Sequence, residues 1–265
     1  MRPFPGMLVL SCEHAGNRVP ARYRHLFQDS PGVLETHRAY DLGVYPMARM
    51  LARRLDCPLF AFFITRLLID VNRSVGHHNL LSEFSRELPA LDKQRLIRTY
   101  HQPYRENVTK AVGRPVAEGR EVLHVSLHSF APVMGERPRN ADIGVLYDSK
   151  RPVEMHLAEL LQTSLVAGTG LRVRRNYPYR GASDGLTTFL RRQFADNSYV
   201  GLEIELNQRL LVQKPPGSIR LYAKDLAGIL SEGLMQLLHT GSGATVHGRS
   251  SDIHVRAKSE GGDEP

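Results

Sequence analysis

Cysteine is scarce in this chain, and long apolar stretches are missing. The 265 residues include only two cysteines, Cys12 and Cys57, which are too few for the disulfide framework of a small secreted protein. No apolar run approaches the ~18 residues of a membrane-spanning helix, and the start of the chain lacks the apolar core of a signal peptide. These absences predict a cytoplasmic protein with reduced thiols and no membrane partner.

The sequence also lacks the motifs of several common enzyme classes. It has no phosphate-binding loop, no dinucleotide-binding Gly-x-Gly-x-x-Gly and no Gly-x-Ser-x-Gly nucleophile elbow. The Cys-x-x-Cys sets of structural zinc and the His-Glu-x-x-His of many zinc proteases are missing too. Cys12 stands near His14, but neighbouring positions of a strand point to opposite faces, which argues against a paired cysteine nucleophile.

Positive charge exceeds negative charge, with 35 Lys and Arg against 27 Asp and Glu. The arginines are spread along the chain, without a basic block or a basic stripe interleaved with aromatic residues, which argues against a nucleic-acid partner. The surplus fits either a solvated basic surface or a site for carboxylate substrates.

Composition and pattern predict a single α/β domain over residues 1–239, followed by a disordered tail over 240–265 that is rich in Gly, Ser and charge. Strands that alternate with helices predict a mixed, mostly parallel sheet with helices on both faces. The predicted strands cover 7–10, 58–64, 67–69, 121–127, 143–147, 171–175 and 199–206. The predicted helices cover 43–55, 91–118 with a break before Pro103, 154–166, 185–194 and a long segment that begins at Ser218.

Side chains that can bind a metal ion or transfer a proton lie at the carboxyl ends of three predicted strands. His14 follows the first strand, His128 ends the central strand, and Glu203 and Glu205 lie near the end of the last strand. Ligands bind at this edge of an open α/β sheet. The pattern therefore indicates an enzyme, and a zinc hydrolase fits it best.

Two histidines need a carboxylate to complete a catalytic zinc site with an open position for water. Asp41, at the start of a predicted helix, is the best candidate, although an aspartate there could instead bind free helix amides. Glu13 is a weaker candidate because it should point away from His14. His124 shares a face with His128 but lies deeper in the strand, so we expect a structural role for it.

A carboxylate in an apolar strand is costly unless it is paired, metal-bound or used in catalysis. Glu205 is nearer the strand end, so we predict that it is the base that moves a proton from water to the leaving nitrogen. Glu203 is expected to form a structural pair. Ser129, directly after His128, is a candidate for substrate binding.

Arg66 and Arg73 bracket a short apolar segment that carries Asp70 and Asn72. Because arginine binds carboxylates through two parallel hydrogen bonds, these residues predict a substrate with a free carboxylate, with Asp70 orienting one guanidinium. A surface ion-pair cluster is the alternative. Arg137 could add a further contact from a loop.

Six short segments, in this order, resemble the N-formylglutamate amidohydrolase family. They are Ser11-Cys12-Glu13-His14-Ala15-Gly16-Asn17-Arg18-Val19-Pro20, Ala39-Tyr40-Asp41-Leu42-Gly43, Arg66-Leu67-Leu68-Ile69-Asp70-Val71-Asn72-Arg73, Leu127-His128-Ser129-Phe130, Asn176-Tyr177-Pro178-Tyr179 and Ile204-Glu205-Leu206-Asn207-Gln208. The resemblance implies a zinc-carboxypeptidase-like fold, shared with aspartoacylase-type deacylases. It also implies hydrolysis of the amide bond of a small N-acyl amino acid.

The resemblance implies roles for single residues as well. These are metal ligation by His14 and His128, catalysis by Glu205, and carboxylate binding by Arg66, Asn72 and Arg73. Many relatives take their second ligand from the Glu of a His-x-x-Glu motif, where this chain has Asn17. The third ligand is therefore expected to be Asp41, with Glu13 and Asn17 as alternatives. The segment Phe189-Leu190-Arg191-Arg192 lacks a histidine that some family members have, which leaves the acyl specificity open.

The predicted mechanism places zinc on His14, Asp41 and His128, with Glu205 as the base and Arg66 or Arg137 stabilising the oxyanion. Two other functions remain compatible with the sequence. One is a metallo-carboxypeptidase or amidase that acts on peptides or cell-wall fragments. The other is a metal-free, basic binding protein.

Overall fold

The computed structural model describes residues 6–211 and 218–240. Apart from Thr240, which ends the last helix, the predicted disordered tail lies outside the described residues.

The described residues form one six-stranded sheet and a short hairpin. The strands are β1 (Met7–Cys12), β2 (Leu59–Ala61), β3 (Val122–Phe130), β4 (Val133–Met134), β5 (Arg137–Pro138), β6 (Ile143–Leu146), β7 (Val173–Arg175) and β8 (Tyr199–Asn207). The sheet order is β2-β1-β3-β8-β6-β7, and β4 pairs with β5. Neighbouring strands of the sheet are parallel except β6 and β8, which are antiparallel. The predicted mixed, mostly parallel sheet is confirmed.

Six α-helices accompany these strands within the described ranges. They are α1 (Val44–Leu55), α2 (Ala90–Leu96), α3 (Gln102–Ala117), α4 (Pro152–Thr169), α5 (Leu186–Arg191) and α6 (Ser218–Thr240). Instead of a simple break before Pro103, a π-helical turn, Ile97–His101, joins α2 to α3. No helix in these ranges combines the length and the apolar character needed to cross a lipid bilayer.

Helices cover both faces of the sheet, because alternate strand residues point to opposite sides. On one face, Leu10, Val125 and Ile204 belong to a core that includes buried residues of α1, α4 and α6. On the other face, Val9 and Tyr199 pack with buried residues of α3 and α5. On this second face, the strand positions nearer the carboxyl ends of the strands carry polar residues.

Two predicted strands differ from the structure. The strand predicted over 58–64 contains only the three residues of β2, and Ile64 forms an isolated bridge to Arg18. The segment 67–69 is a turn rather than a strand, because the amides of Leu68 and Ile69 both bond to the carbonyl of Thr65. A short apolar run indicates burial but does not distinguish a strand from a buried turn.

Gly144 in β6 lies where no side chain fits. It is the register partner of Glu205, and a Cβ atom at this position would lie 2.0 Å from the carbonyl oxygen of Tyr177. A backbone atom cannot rotate away as a side chain can. This glycine therefore lets the segment at Tyr177 approach the sheet beside Glu205.

We expect Gly144→Ala to lower the free energy of unfolding by about 1–3 kcal/mol or more, because overpacking usually costs this much. Urea titration followed by circular dichroism measures this. Gly32→Ala is the matched control, because a Cβ there meets no atom within 4 Å, and its effect should stay within about 0.5 kcal/mol. Equal stability of the two variants would contradict the close approach described above.

Candidate metal and substrate site

Three predicted ligands meet at the carboxyl edge of the sheet. His14 follows β1, His128 belongs to β3, and Asp41 lies in the segment before α1. One potential ligand atom from each lies within 4.8 Å of the others, and the two imidazole centroids are 5.2 Å apart. All three residues are buried. The fold therefore brings together imidazoles that are 114 positions apart in the sequence.

The ring of His14 is oriented by Asp70. His14 Nε2 lies 2.8 Å from Asp70 Oδ1. Burial disfavours the charge on Asp70, but His14 and Arg73 outweigh it and hold the pKa of this carboxyl below its usual range. An ionised carboxylate only accepts hydrogen bonds, so the His14 proton belongs on Nε2. His14 Nδ1 is left with a free lone pair and, although buried, has no hydrogen-bond partner.

The ring of His128 is oriented in the same way by Glu13 and Ser126. His128 Nε2 lies 2.9 Å from Ser126 Oγ and 3.1 Å from Glu13 Oε2. Ser126 donates its own proton to Glu13 at 2.5 Å, so its oxygen accepts the Nε2 proton of His128. Despite burial, hydrogen bonds from His128 and neighbouring hydroxyls lower the pKa of Glu13 to about 2. Burial lowers the pKa of His128, but its hydrogen bonds to Asp41 and Glu13 outweigh burial and raise that pKa well above the usual value. His128 Nδ1 thus donates a proton to Asp41, and a bound metal ion would take the place of that proton.

Asp41 faces both of these nitrogens. Its Oδ2 lies 3.0 Å from His128 Nδ1 and 3.5 Å from His14 Nδ1, and it accepts a hydrogen bond from the Ser129 amide at 3.2 Å. Its Oδ1 accepts a hydrogen bond from Arg66 Nη2. Burial opposes ionisation, but Arg66 and His14 keep the pKa of Asp41 well below its usual range. No side chain caps α1, so the alternative of a capping aspartate is wrong.

These donors fit a divalent metal ion. Two neutral imidazoles and one carboxylate form a common set for zinc, and a carboxylate or hydroxyl on the far nitrogen of each imidazole is the usual outer support. Three anions, Asp41, Asp70 and Glu13, surround the two rings, and arginines lie beside two of them, Arg66 beside Asp41 and Arg73 beside Asp70. The unpartnered His14 Nδ1 marks the same position. His14, Asp41 and His128 could therefore hold a metal ion, whose identity the donor set does not fix.

Glu205 lies beside this cluster, opposite His128 in the register of β3 and β8. It is buried, and its Oε2 has no hydrogen-bond partner. Burial is the main cause that raises the pKa of Glu205 to about 7, and the nearby carboxylates of Asp41 and Glu203 contribute. Glu203 differs because it accepts a hydrogen bond from the Thr187 hydroxyl, so its structural partner is a threonine.

A cavity of about 380 Å³ opens over the cluster. Four arginines line it, namely Arg66, Arg73, Arg139 and Arg180. Arg73 Nη1 donates to the Asp184 carbonyl at 2.5 Å, and its Nε lies 3.8 Å from Asp70 Oδ2. Asn72 also lines the cavity, and its Oδ1 accepts from the Leu186 amide at 2.7 Å. The lining is suited to an anionic ligand of small-molecule size.

Arg137 is not among the residues that line this cavity. Arg137 is exposed in β5, and Arg139, two residues later, lines the wall instead. The reason is aromatic packing, since the guanidinium of Arg139 lies over the rings of Phe130 and Tyr179 and donates to the Tyr179 hydroxyl at 3.0 Å. Among the described residues that line the cavity, Arg139 therefore takes the place predicted for Arg137.

Ser129 lines the cavity, but its hydroxyl already has two partners. It donates to the Leu42 carbonyl at 3.0 Å and accepts from Gln208 Nε2 at 3.2 Å. These bonds tie β3 to the segment that carries Asp41. A contact between Ser129 and a substrate stays a prediction.

The remaining candidates lie outside the three-residue cluster. Glu13 supports His128, because its Oε2 lies 3.1 Å from His128 Nε2. The amide of Asn17 donates to the Leu34 carbonyl and to Glu35. His124 is a core residue between Ser11 and Tyr199, at 2.8 Å from each hydroxyl, and burial lowers its pKa to about 4. Its expected structural role is confirmed.

Cys12 is fully buried. Burial raises the pKa of its thiol well above the usual value, and the charge of Glu13 adds to this effect. The thiolate, which is the nucleophilic form, is therefore disfavoured. This agrees with the sequence argument against a cysteine nucleophile.

Sequence reasoning missed the groups that orient the two rings. Sequence reasoning predicted that Asp70 orients an arginine, whereas Asp70 lies 2.8 Å from His14 Nε2 and 3.8 Å from Arg73 Nε. It considered Glu13 as a ligand rather than as a support for His128. The one available signal was the alternation in β3, which places Ser126 on the face of His128.

Comparisons with known proteins agree with the fold. The sequence model of the N-formylglutamate amidohydrolase family matches residues 6–212. The chain is similar to the structure of a gene product of Agrobacterium tumefaciens, at 28% sequence identity and a TM-score of 0.74, over 88% of this chain and 92% of that one. It also shares its fold with an N-formylglutamate amidohydrolase from Ralstonia eutropha JMP134, at 22% identity and a TM-score of 0.67, over 90% of this chain and 95% of that one. No curated protein matches the chain.

We expect Glu13→Gln to weaken zinc binding about 10- to 100-fold, the usual effect of removing an outer partner of a ligating histidine. Competition with a zinc-binding dye measures the dissociation constant. Glu87→Gln is the control, because Glu87 is exposed, and it should leave the affinity unchanged. Wild-type affinity in Glu13→Gln would show that this carboxylate does not prepare His128 for a metal.

Proposed function

The chain belongs to the N-formylglutamate amidohydrolase family, and on that premise we propose that it hydrolyses the amide bond of a small N-acyl amino acid with the help of a divalent metal ion, zinc. N-Formyl-L-glutamate and related N-acylated acidic amino acids are the proposed substrates. One observation carries the proposal. The unpartnered, buried Oε2 of Glu205 lies beside a cluster that offers three metal-ligand atoms within 4.8 Å of one another.

His14, Asp41 and His128 are the proposed ligands. When bound, such an ion supplies a Lewis acid that polarises a carbonyl and lowers the pKa of water. The proposed task of Asp70, Glu13 and Ser126 is to keep a proton on the Nε2 atom of each ring. The Nδ1 atoms then face Asp41, and metal binding requires only the loss of the proton on His128 Nδ1.

Glu205 is the proposed general base and acid. In its ionised form it accepts a proton from water as the water oxygen attacks the amide carbon. It then donates that proton to the nitrogen as the carbon–nitrogen bond breaks, which gives a carboxylic acid and a free amino acid. A pKa of about 7 suits both steps, because a catalytic group works best when its pKa is near the working pH.

Arginines are proposed to bind the substrate and the developing charge. Arg73 and the amide NH₂ of Asn72 hold the carboxylate of the amino acid, since the Asn72 oxygen is already occupied by Leu186. Arg66 stabilises the oxyanion. Its contact with Asp41 supports this role, because a cation fixed beside a proposed ligand needs little reorganisation during the reaction.

The proposal is tested with purified, zinc-loaded protein and a panel of substrates. We expect amine release from N-formyl-L-glutamate or N-acetyl-L-glutamate, loss of activity after dialysis against a chelator, and recovery on addition of zinc. Hydrolysis of only dipeptides or muropeptides would overturn the small-substrate proposal in favour of a peptidase or amidase. No hydrolysis of either class by zinc-loaded protein would overturn the enzymatic proposal.

Glu205→Gln should retain zinc but lower kcat by about 10²- to 10⁴-fold, because general acid–base catalysis contributes in this range. Metal analysis and the amine-release assay measure both properties. Glu203→Gln is the matched control, since Glu203 lies on the same strand and face but bonds to Thr187, and kcat should change far less. Similar losses in the two variants, or full turnover without Glu205, would remove Glu205 from its proposed role.

Arg139→Ala should raise KM about 10-fold or more with a much smaller effect on kcat, because a charge-assisted hydrogen bond to substrate contributes about 1.5–3 kcal/mol. Arg137→Ala, in the same hairpin region, should behave like the wild type. Steady-state kinetics on N-formyl-L-glutamate measures the difference. A larger effect from Arg137 would restore the residue that the sequence predicted.

A further inference from the structure

A second cavity, of about 430 Å³, lies between α3 and α5 on the outer side of the loop that contains Arg73. It shares none of its lining residues with the first cavity. Its wall includes the side chains of Phe189 and Val75, and the π-helical turn Ile97–His101 ends at it with His101. Such turns are rare and occur frequently at functional sites.

The wall of this cavity contains a buried cation without a counter-ion. Arg105 is 4% exposed, and among the described residues no carboxylate lies within ion-pair distance of it. Burial lowers the pKa of its guanidinium to about 10, so the group stays charged at neutral pH. A buried charge without a counter-ion is destabilising, so an anion bound at Arg105 would stabilise the folded chain.

The free donors of Arg105 are arranged for a carboxylate. Its Nη1 donates to the Arg73 carbonyl at 2.7 Å, while Nε and Nη2 have no partner. These two atoms form the edge of a guanidinium that binds a carboxylate through two parallel hydrogen bonds. The Phe189 ring covers the flat face, with its centroid 4.1 Å from Arg105 Cζ, so that edge is the direction of approach.

The other lining residues indicate what the rest of the ligand is. Phe189 and Val75 offer apolar surface, and at the rim the exposed Glu106 and Lys110 carry opposite charges. A ligand therefore needs one anionic group and an apolar body. Because Nε and Nη2 are covered, entry requires a shift of a wall side chain, and the exposed Gln193 is free to rotate on a fast timescale.

We propose that this cavity is a second binding site, for a small monocarboxylate with an aromatic or branched apolar body, held by the Nε–Nη2 edge of Arg105. The proposal does not depend on the hydrolase activity. The site is linked to the first cavity through Arg73, whose carbonyl accepts hydrogen bonds from Arg105 and from His101, each at 2.7 Å.

The test uses 4-fluorobenzoate and fluorine NMR on the full chain. We expect saturable binding to the wild type, at least about tenfold weaker binding to Arg105→Met, and unchanged binding to Arg98→Met, whose arginine is exposed on the π-helical turn. Thr109→Phe fills the cavity but keeps the contact of Arg105 with Arg73. It should therefore abolish binding as well. This variant tests the proposal even if Arg105→Met does not fold.

Arg73→Ala distinguishes binding in the two cavities, because it removes a side chain that lines the first cavity but keeps the backbone carbonyl that Arg105 contacts. Binding that survives in Arg73→Ala supports the second site. Loss of binding in Arg73→Ala together with full binding in Thr109→Phe would assign the ligand to the first cavity and overturn the proposal. The absence of saturable binding to the wild type would overturn it as well.

Discussion

Hydrogen bonds to the outer nitrogens of two histidines are the interactions on which this site depends. Asp70 holds His14 Nε2, while Glu13 and Ser126 hold His128 Nε2. Each bond fixes a proton on Nε2 and turns the Nδ1 atom of the ring toward Asp41. The rings are thus oriented by protein groups alone, and a cation entering the cluster would replace the proton on His128 Nδ1.

The sheet lowers the free-energy cost of burying these charges, because it places the charged groups beside partners. Isolated buried ions are strongly destabilising, whereas hydrogen-bonded pairs are tolerated. Asp41 is paired with Arg66, and Glu13 with His128 and Ser126. Within the three-residue cluster and its neighbour Glu205, two buried atoms have no hydrogen-bond partner, namely His14 Nδ1 and Glu205 Oε2. The proposed chemistry uses these two atoms.

Much of this architecture could be predicted from the sequence. His14 and His128 follow strands whose carboxyl ends meet, so their proximity follows from the strand pattern and the parallel sheet. The ring orientations could not be predicted, since they depend on Asp70, which is distant in sequence. Nor could the choice of Arg139 over Arg137, because it depends on packing against Phe130 and Tyr179. The turn at 67–69 was predicted as a strand since its apolar residues are buried in either conformation.

The most direct test of the account is a crystal structure of the zinc-loaded protein with anomalous data collected at the zinc edge. The account predicts one strong peak, about 2.0–2.2 Å from an oxygen of Asp41 and from the Nδ1 atoms of His14 and His128, with Asp70 and Glu13 still bonded to the Nε2 atoms. Zinc bound through Nε2, or a peak outside this cluster, would contradict it.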